Sequence, residues 1–196
     1  MVAMFGIKEL IYRYRHNRGF GVQSPSAFHF VTSVLKDTHP YYAYPTIERL
    51  ATGRRRASQC KRLFRIANYL RSQNIVMLTP HKAAAYALAA ARKNVPVTLL
   101  ESADDNYAEA FDNIGTLGLL YVGECDNCAA VVDEAIKHAA FDSAVIVEGI
   151  YSSREKEKWW QTIKQNPSVC VTFDLYSMGI LFFDKKYKKQ HYTLKM

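Results

Sequence analysis

Several residues with chemistry to offer stand directly after short apolar runs. His81 follows Ile75–Leu78, Glu101 follows Val97–Leu100, Glu124 and Asp126 follow Leu117–Val122, and Glu148 follows Ser143–Val147. In an open α/β sheet, ligands bind outside the carboxyl ends of the strands. Residues placed there converge on one edge, where an imidazole and several carboxylates can hold hydroxyl or amine groups and position a reactant. Thr79, His81, Glu101 and Glu124 are the candidate cofactor-binding residues. No general base stands out, so no catalytic residue is assigned.

Cys125-Asp126-Asn127-Cys128 has the spacing of a thiol or metal pair and lies where a strand feeds a helix. A helix N-terminus stabilises a thiolate. Zinc would need two more ligands, and neither Cys60 nor Cys170 comes as a second such pair. A chance spacing is the simpler reading, and no metal is expected. With four cysteines in 196 residues, reduced thiols fit better than a disulfide framework.

The elements that must position these residues follow from periodicity. Ile75–Leu78, an alanine-rich helix from about Lys82 to Arg92, and Val97–Leu100 form one βαβ unit. A helix to about Asn113, a strand Leu117–Val122, a helix carrying Val131, Val132 and Ile136, and a strand Ser143–Val147 continue the alternation. Ser152-Ser-Arg-Glu155 reads as a capping box before a helix with Trp159, Trp160 and Ile163. Val169–Leu175 and Ile180–Phe183 are too close for a parallel crossover and should pair antiparallel. Upstream, Met4, Ile7, Ile11 and Tyr14 predict an amphipathic helix over residues 3–15. Ser24 should cap a helix starting at Pro25 and burying Phe28, Val31, Val34 and Leu35. A short helix near Thr46–Leu50 and a longer one from about Ser58 to Arg71 precede the first strand. Residues 1–57 are thus read as a helical extension and connector, and 58–196 as the α/β domain.

Hydrophobic residues make up 49% of the chain, enough for a sizeable core. No apolar run approaches the roughly 20 residues that span a bilayer, and the start lacks a secretory signal core. The expectation is a cytoplasmic protein without a membrane partner. The net charge of +8 gathers in Arg13–Arg18, Arg54–Arg65 and Lys185–Lys189. Solvated faces explain these segments more simply than nucleic acid, because no nucleic-acid-binding motif accompanies them.

The order of elements, with a closing hairpin, is the architecture of class I S-adenosylmethionine-dependent methyltransferases, one candidate among several α/β folds. Three segments sharpen it. Arg18-Gly19-Phe20-Gly21-Val22-Gln23-Ser24-Pro25, Leu63-Phe64-Arg65-Ile66-Ala67-Asn68-Tyr69, and Phe173 to Phe183 with the tail Lys189-Gln190-His191-Tyr192-Thr193-Leu194 resemble a family of small bacterial class I methyltransferase-like proteins, close in fold to the O-methyltransferases. The resemblance implies a Rossmann-like, mostly parallel sheet ending in an antiparallel hairpin, with S-adenosylmethionine as the possible cofactor. The short link between Phe111 and Leu117 implies that one edge strand is missing.

The family's glycine-rich turn after the first strand reads Val76-Met77-Leu78-Thr79-Pro80-His81-Lys82-Ala83 here. The acidic residue of that strand is Met77 and the glycine is gone. Glu101 remains where a carboxylate would hold the ribose, and Glu124, Asp126 and Glu148 replace the family's acidic pattern at the next strand ends. The reading is a degenerate methyltransferase fold without efficient cofactor binding, serving as a binding or scaffold protein for an unidentified small molecule or protein. The alternatives are an active methyltransferase with a divergent site, nucleic-acid binding through the basic segments, and a thiol role for the cysteine pair.

Overall fold

A computed structural model describes residues 22, 24–100, 107–125 and 128–194. The predicted helix over 3–15 therefore lies outside the described residues. Seven strands form one sheet: β1 Ile75–Leu78, β2 Val97–Leu100, β3 Leu117–Val122, β4 Ala139–Glu148, β5 Val171–Asp174, β6 Met178–Phe182 and β7 Gln190–Thr193, in the order β2-β1-β3-β4-β6-β5-β7. β2, β1, β3 and β4 run parallel; β6 is antiparallel to both β4 and β5. The sheet is Rossmann-like.

The strands of the sheet centre read as continuous apolar runs because both faces are covered. All four residues of β1 are buried, and so are Leu119 to Val122 of β3 and Ser143 to Glu148 of β4. One face packs under α1 (Pro25–Phe30), α3 (Arg54–Leu70) and α4 (Lys82–Ala91), with α2 (Tyr44–Leu50) alongside. The other packs under α5 (Tyr107–Ile114), α6 (Cys128–Lys137) and α7 (Arg154–Ile163). Residues 27–47 contribute Ala27, Phe30, Val34 and Ile47 to the first of these cores, so the upstream helices share the sheet's interior.

Among the described residues no strand lies beyond β2, where Leu99 is 61% exposed. α5 passes straight into β3, in accord with the expected missing strand. The opposite edge gained one that periodicity did not suggest. β7, short and flanked by lysines, pairs parallel with β5, bringing Tyr192 against Phe173 as stacked rings 5.2 Å apart.

Four local expectations are corrected. Phe28 is 56% exposed, because Ala27, Phe30 and Val31 form the inward face of α1. Ser24 stands at the N-cap of that helix as expected, but its side chain makes no capping bond; its hydroxyl meets the Ser26 hydroxyl at 2.9 Å. α1 widens into a π turn at Val31–Leu35, and the buried Arg65 donates to the carbonyls of Val34 and Leu35 at 2.6 and 2.8 Å. Arg65 is thus a structural staple rather than part of a solvated basic face. At α7 the cap is Ser153, whose hydroxyl accepts from the Lys156 amide, one residue later than the box read from the sequence.

Candidate functional site

The carboxyl ends of β1, β3 and β4 form the edge to which the sequence assigned its candidates. After Leu78 the chain turns at Thr79, a β-branched residue with φ of 46°. That left-handed conformation is one such residues rarely adopt. The turn delivers His81 to the N-cap of α4, where Nδ1 accepts the Ala84 amide at 3.3 Å. A ring nitrogen that accepts carries no proton, so Nε2 bears it. Nε2 lies 3.9 Å from the Cys60 sulfur and 3.9 Å from Glu148 Oε1.

Glu148, the last residue of β4, is 2% exposed. Arg56, in the first turn of α3, reaches over the sheet and donates from Nη1 to Glu148 Oε2 at 2.7 Å. Among the described residues Glu148 Oε1 has no hydrogen-bond partner. The buried Tyr121 hydroxyl also lacks one among the described residues, and it lies close enough to Glu148 to feel its charge. Burial first, and then that carboxylate, push the Tyr121 phenol upward. The same two causes push the Cys60 thiol up to about 12, so Cys60 stays a neutral thiol and not a nucleophile.

Beside this cluster the β5–β6 turn builds an aromatic wall. Asp174, 1% exposed, accepts from Tyr151 Oη at 2.6 Å, Trp160 Nε1 at 3.0 Å and the Tyr176 amide at 3.0 Å. Tyr176 is held at φ of 66°, its ring stacked on Tyr151 with centroids 5.3 Å apart. A cleft of about 420 Å³ opens between this wall and the start of α3; Arg55, Arg56, Glu124, Glu148, Tyr151 and Tyr176 line it.

Of the sequence candidates, Thr79 lies at the turn against the β3 turn, its hydroxyl without a hydrogen-bond partner among the described residues. A Cβ on Gly123 would sit 2.2 Å from the Thr79 carbonyl oxygen, so the ends of β1 and β3 touch backbone to backbone. His81 and Glu148 are neighbours, and Glu124 lines the cleft over Gly149. Glu101 and Asp126 lie outside the described residues. Sequence reasoning missed Arg56, Tyr121, Tyr151 and Tyr176. Arg56 sat in a run of three arginines read as solvated, and no local pattern points to a carboxylate 92 residues away. Cys125 and Cys128 are not disulfide-bonded. Among the described residues no group of three or more His, Cys, Asp or Glu could hold a metal ion, and no helix is long and apolar enough to cross a membrane.

No family model and no curated protein matches the sequence. Solved structures do match. An S-adenosylhomocysteine-bound methyltransferase of Podospora anserina, PaMTH1, superposes with a TM-score of 0.56 at 10% identity, covering 84% of this chain and 97% of its own. The fold is that of a class I methyltransferase. The O-methyltransferase TomG of Streptomyces achromogenes, solved with S-adenosylmethionine, gives 0.53 at 12% identity over 81% of this chain and 96% of its own. Cofactor-bound Rv0187 from MTB gives 0.53 at 12% identity, covering 85% and 93%. At such identities the likeness establishes the methyltransferase-like fold and leaves the site to be argued from its own residues.

Proposed function

We propose that this chain is a methyltransferase-fold binding protein that has given up efficient S-adenosylmethionine binding and uses the cleft, or a protein partner, instead. The observation that carries the reading is the His81 side chain. Its ring caps α4 and faces Cys60 and Glu148 at the turn where the fold would need bare backbone against the cofactor's methionine end. Thr79 and Pro80 add side-chain bulk where glycine would leave none, and the Thr79 carbonyl is pressed against Gly123. These residues do not fit the methionine end.

The test is thermal or urea unfolding with 1 mM S-adenosylmethionine. A ligand present at about 100 times its Kd stabilises the native state by about 2.7 kcal/mol. The reading predicts no shift. A clear upward shift would favour the second reading, an active methyltransferase with a divergent site, for which the cofactor-bound structural neighbours speak.

A further inference from the structure

We propose that a second pocket, at the far end of the sheet from the cleft, binds an alkylated ammonium cation. It joins a strand bulge, an aromatic wall and two carboxylates, and among the described residues no lysine or arginine lines it. It shares none of its described lining with the cleft.

The bulge builds the rim. Leu117 of β3 pairs with Ala139 of β4, but Leu119 pairs with Ala144, so residues 140–143 stand out of the ladder. The Ser143 hydroxyl accepts from the Ala140 amide at 2.7 Å and donates to the Leu117 carbonyl, which pins the bulge. Bulges re-aim side chains and recur beside binding sites. This one presents Phe141, 65% exposed, and Asp142, both on the rim of a cavity of about 300 Å³. Tyr69 and Tyr187, each nearly half exposed, stand on the same rim. A single exposed apolar residue is ordinary; three rings around one cavity mark a surface that meets something.

The floor is aromatic as well. The Phe30 ring packs on Phe173, Phe182 and Tyr69 with centroids 5.0, 5.3 and 5.5 Å apart. Ring faces attract a cation through their quadrupole, more strongly once the cation leaves water. A cation is already found at this rim: Lys186 Nζ stands 5.7 Å from the centre of the Phe141 ring, although Lys186 itself lines the adjoining hollow.

The carboxylates set the sign of the ligand. Asp142 and Asp184 both line the cavity, in a chain whose net charge is +8, and among the described residues neither forms an ion pair. Asp184 is oriented by its Oδ1, which accepts the Lys186 amide at 2.9 Å. An anion would face both carboxylates, and a neutral apolar ligand would make no use of them. A bare ammonium is strongly hydrated and would need partners for its three N–H groups. An alkylated ammonium has fewer such groups or none, and its apolar shell suits the rings.

The experiment is calorimetric titration of the full chain with choline and, in parallel, with its neutral carbon isostere 3,3-dimethylbutan-1-ol. Choline should bind roughly tenfold tighter than the isostere. Phe141→Leu keeps an apolar side chain but removes the ring, so it should weaken choline about threefold and leave the isostere unchanged. Asp142→Asn should weaken choline by about the same factor, again without effect on the isostere. Both residues are exposed, so unfolding midpoints of the variants should match the native chain. Equal affinity for the two compounds would make the pocket merely apolar and overturn the proposal. So would silence at tens of millimolar choline, or choline binding that neither variant weakens. The outcome for S-adenosylmethionine at the cleft bears on neither result, because the two sites lie at opposite ends of β4.

Discussion

Arg56 and Glu148, 92 residues apart, meet at 2.7 Å and tie the first turn of α3 to the end of β4. The carboxylate is buried and the guanidinium partly exposed, so the pair is unequal: removing the arginine strands a charge, while removing the glutamate frees one to reach water. Arg56→Ala should lower stability by about 3 kcal/mol in urea unfolding. Arg56→Met combined with Glu148→Gln should recover much of that loss, because a neutral pair carries no stranded charge. Equal stability of Arg56→Ala and the native chain would refute the pairing.

Gly179 lies under Trp160, and a Cβ there would come within 2.4 Å of the ring. The indole cannot retreat, since it is buried and its Nε1 is held by Asp174. Gly179→Ala should cost about 1–3 kcal/mol and alter the near-ultraviolet circular dichroism of the tryptophans. An unchanged spectrum and unfolding midpoint would show that the hairpin does not press on Trp160.

Thr79 holds its left-handed backbone against a β-branched side chain. Thr79→Gly removes steric strain of about 1–2 kcal/mol and adds back some chain entropy. The net expectation is stabilisation by about 0.5–1 kcal/mol, read from the urea midpoint. A loss of stability would mean that the threonine side chain is engaged in the native state.

Cys60, Tyr121 and Tyr151 are all shifted upward, in each case chiefly by burial, with the Cys60 thiol at about 12. A proton held more tightly in the folded state makes stability complete below the unfolded pKa and erodes it above. Unfolded thiols and phenols titrate near about 8.5 and 10. Urea midpoints should therefore be level through neutral pH and fall as pH rises from about 9 to 12. Tyr121→Phe removes an unpartnered hydroxyl, so it should be close to neutral at pH 7 and should reduce the alkaline loss. A flat midpoint up to pH 11 would contradict these shifts.

The sheet was legible where periodicity speaks for itself. Ile75–Leu78 and Leu117–Val122 are apolar throughout because both faces are covered, and the hairpin followed from the short span between Asp174 and Met178. β7 was not legible: Gln190–Thr193 is short and polar, and only its pairing with β5 makes it a strand. Phe28 misled because helical spacing allows more than one face, and the π turn that follows fixes which one turns inward. The site was half legible. Strand-end residues such as Glu124 and Glu148 could be placed at one edge from the alternation alone. Arg56, Tyr151 and Tyr176 could not, since each reaches the cleft through contacts distant in sequence or through a backbone conformation that residue type does not announce.

The central claim is that a class I methyltransferase sheet is retained while the turn after β1, filled by Thr79, Pro80 and His81, no longer receives the cofactor. Calorimetric titration of the purified chain with S-adenosylmethionine, repeated with S-adenosylhomocysteine, tests it most directly. The account predicts no heat of binding for either at millimolar ligand. Micromolar binding of either one, weakened by Glu101→Ala, would contradict it and make the chain a methyltransferase with a divergent site.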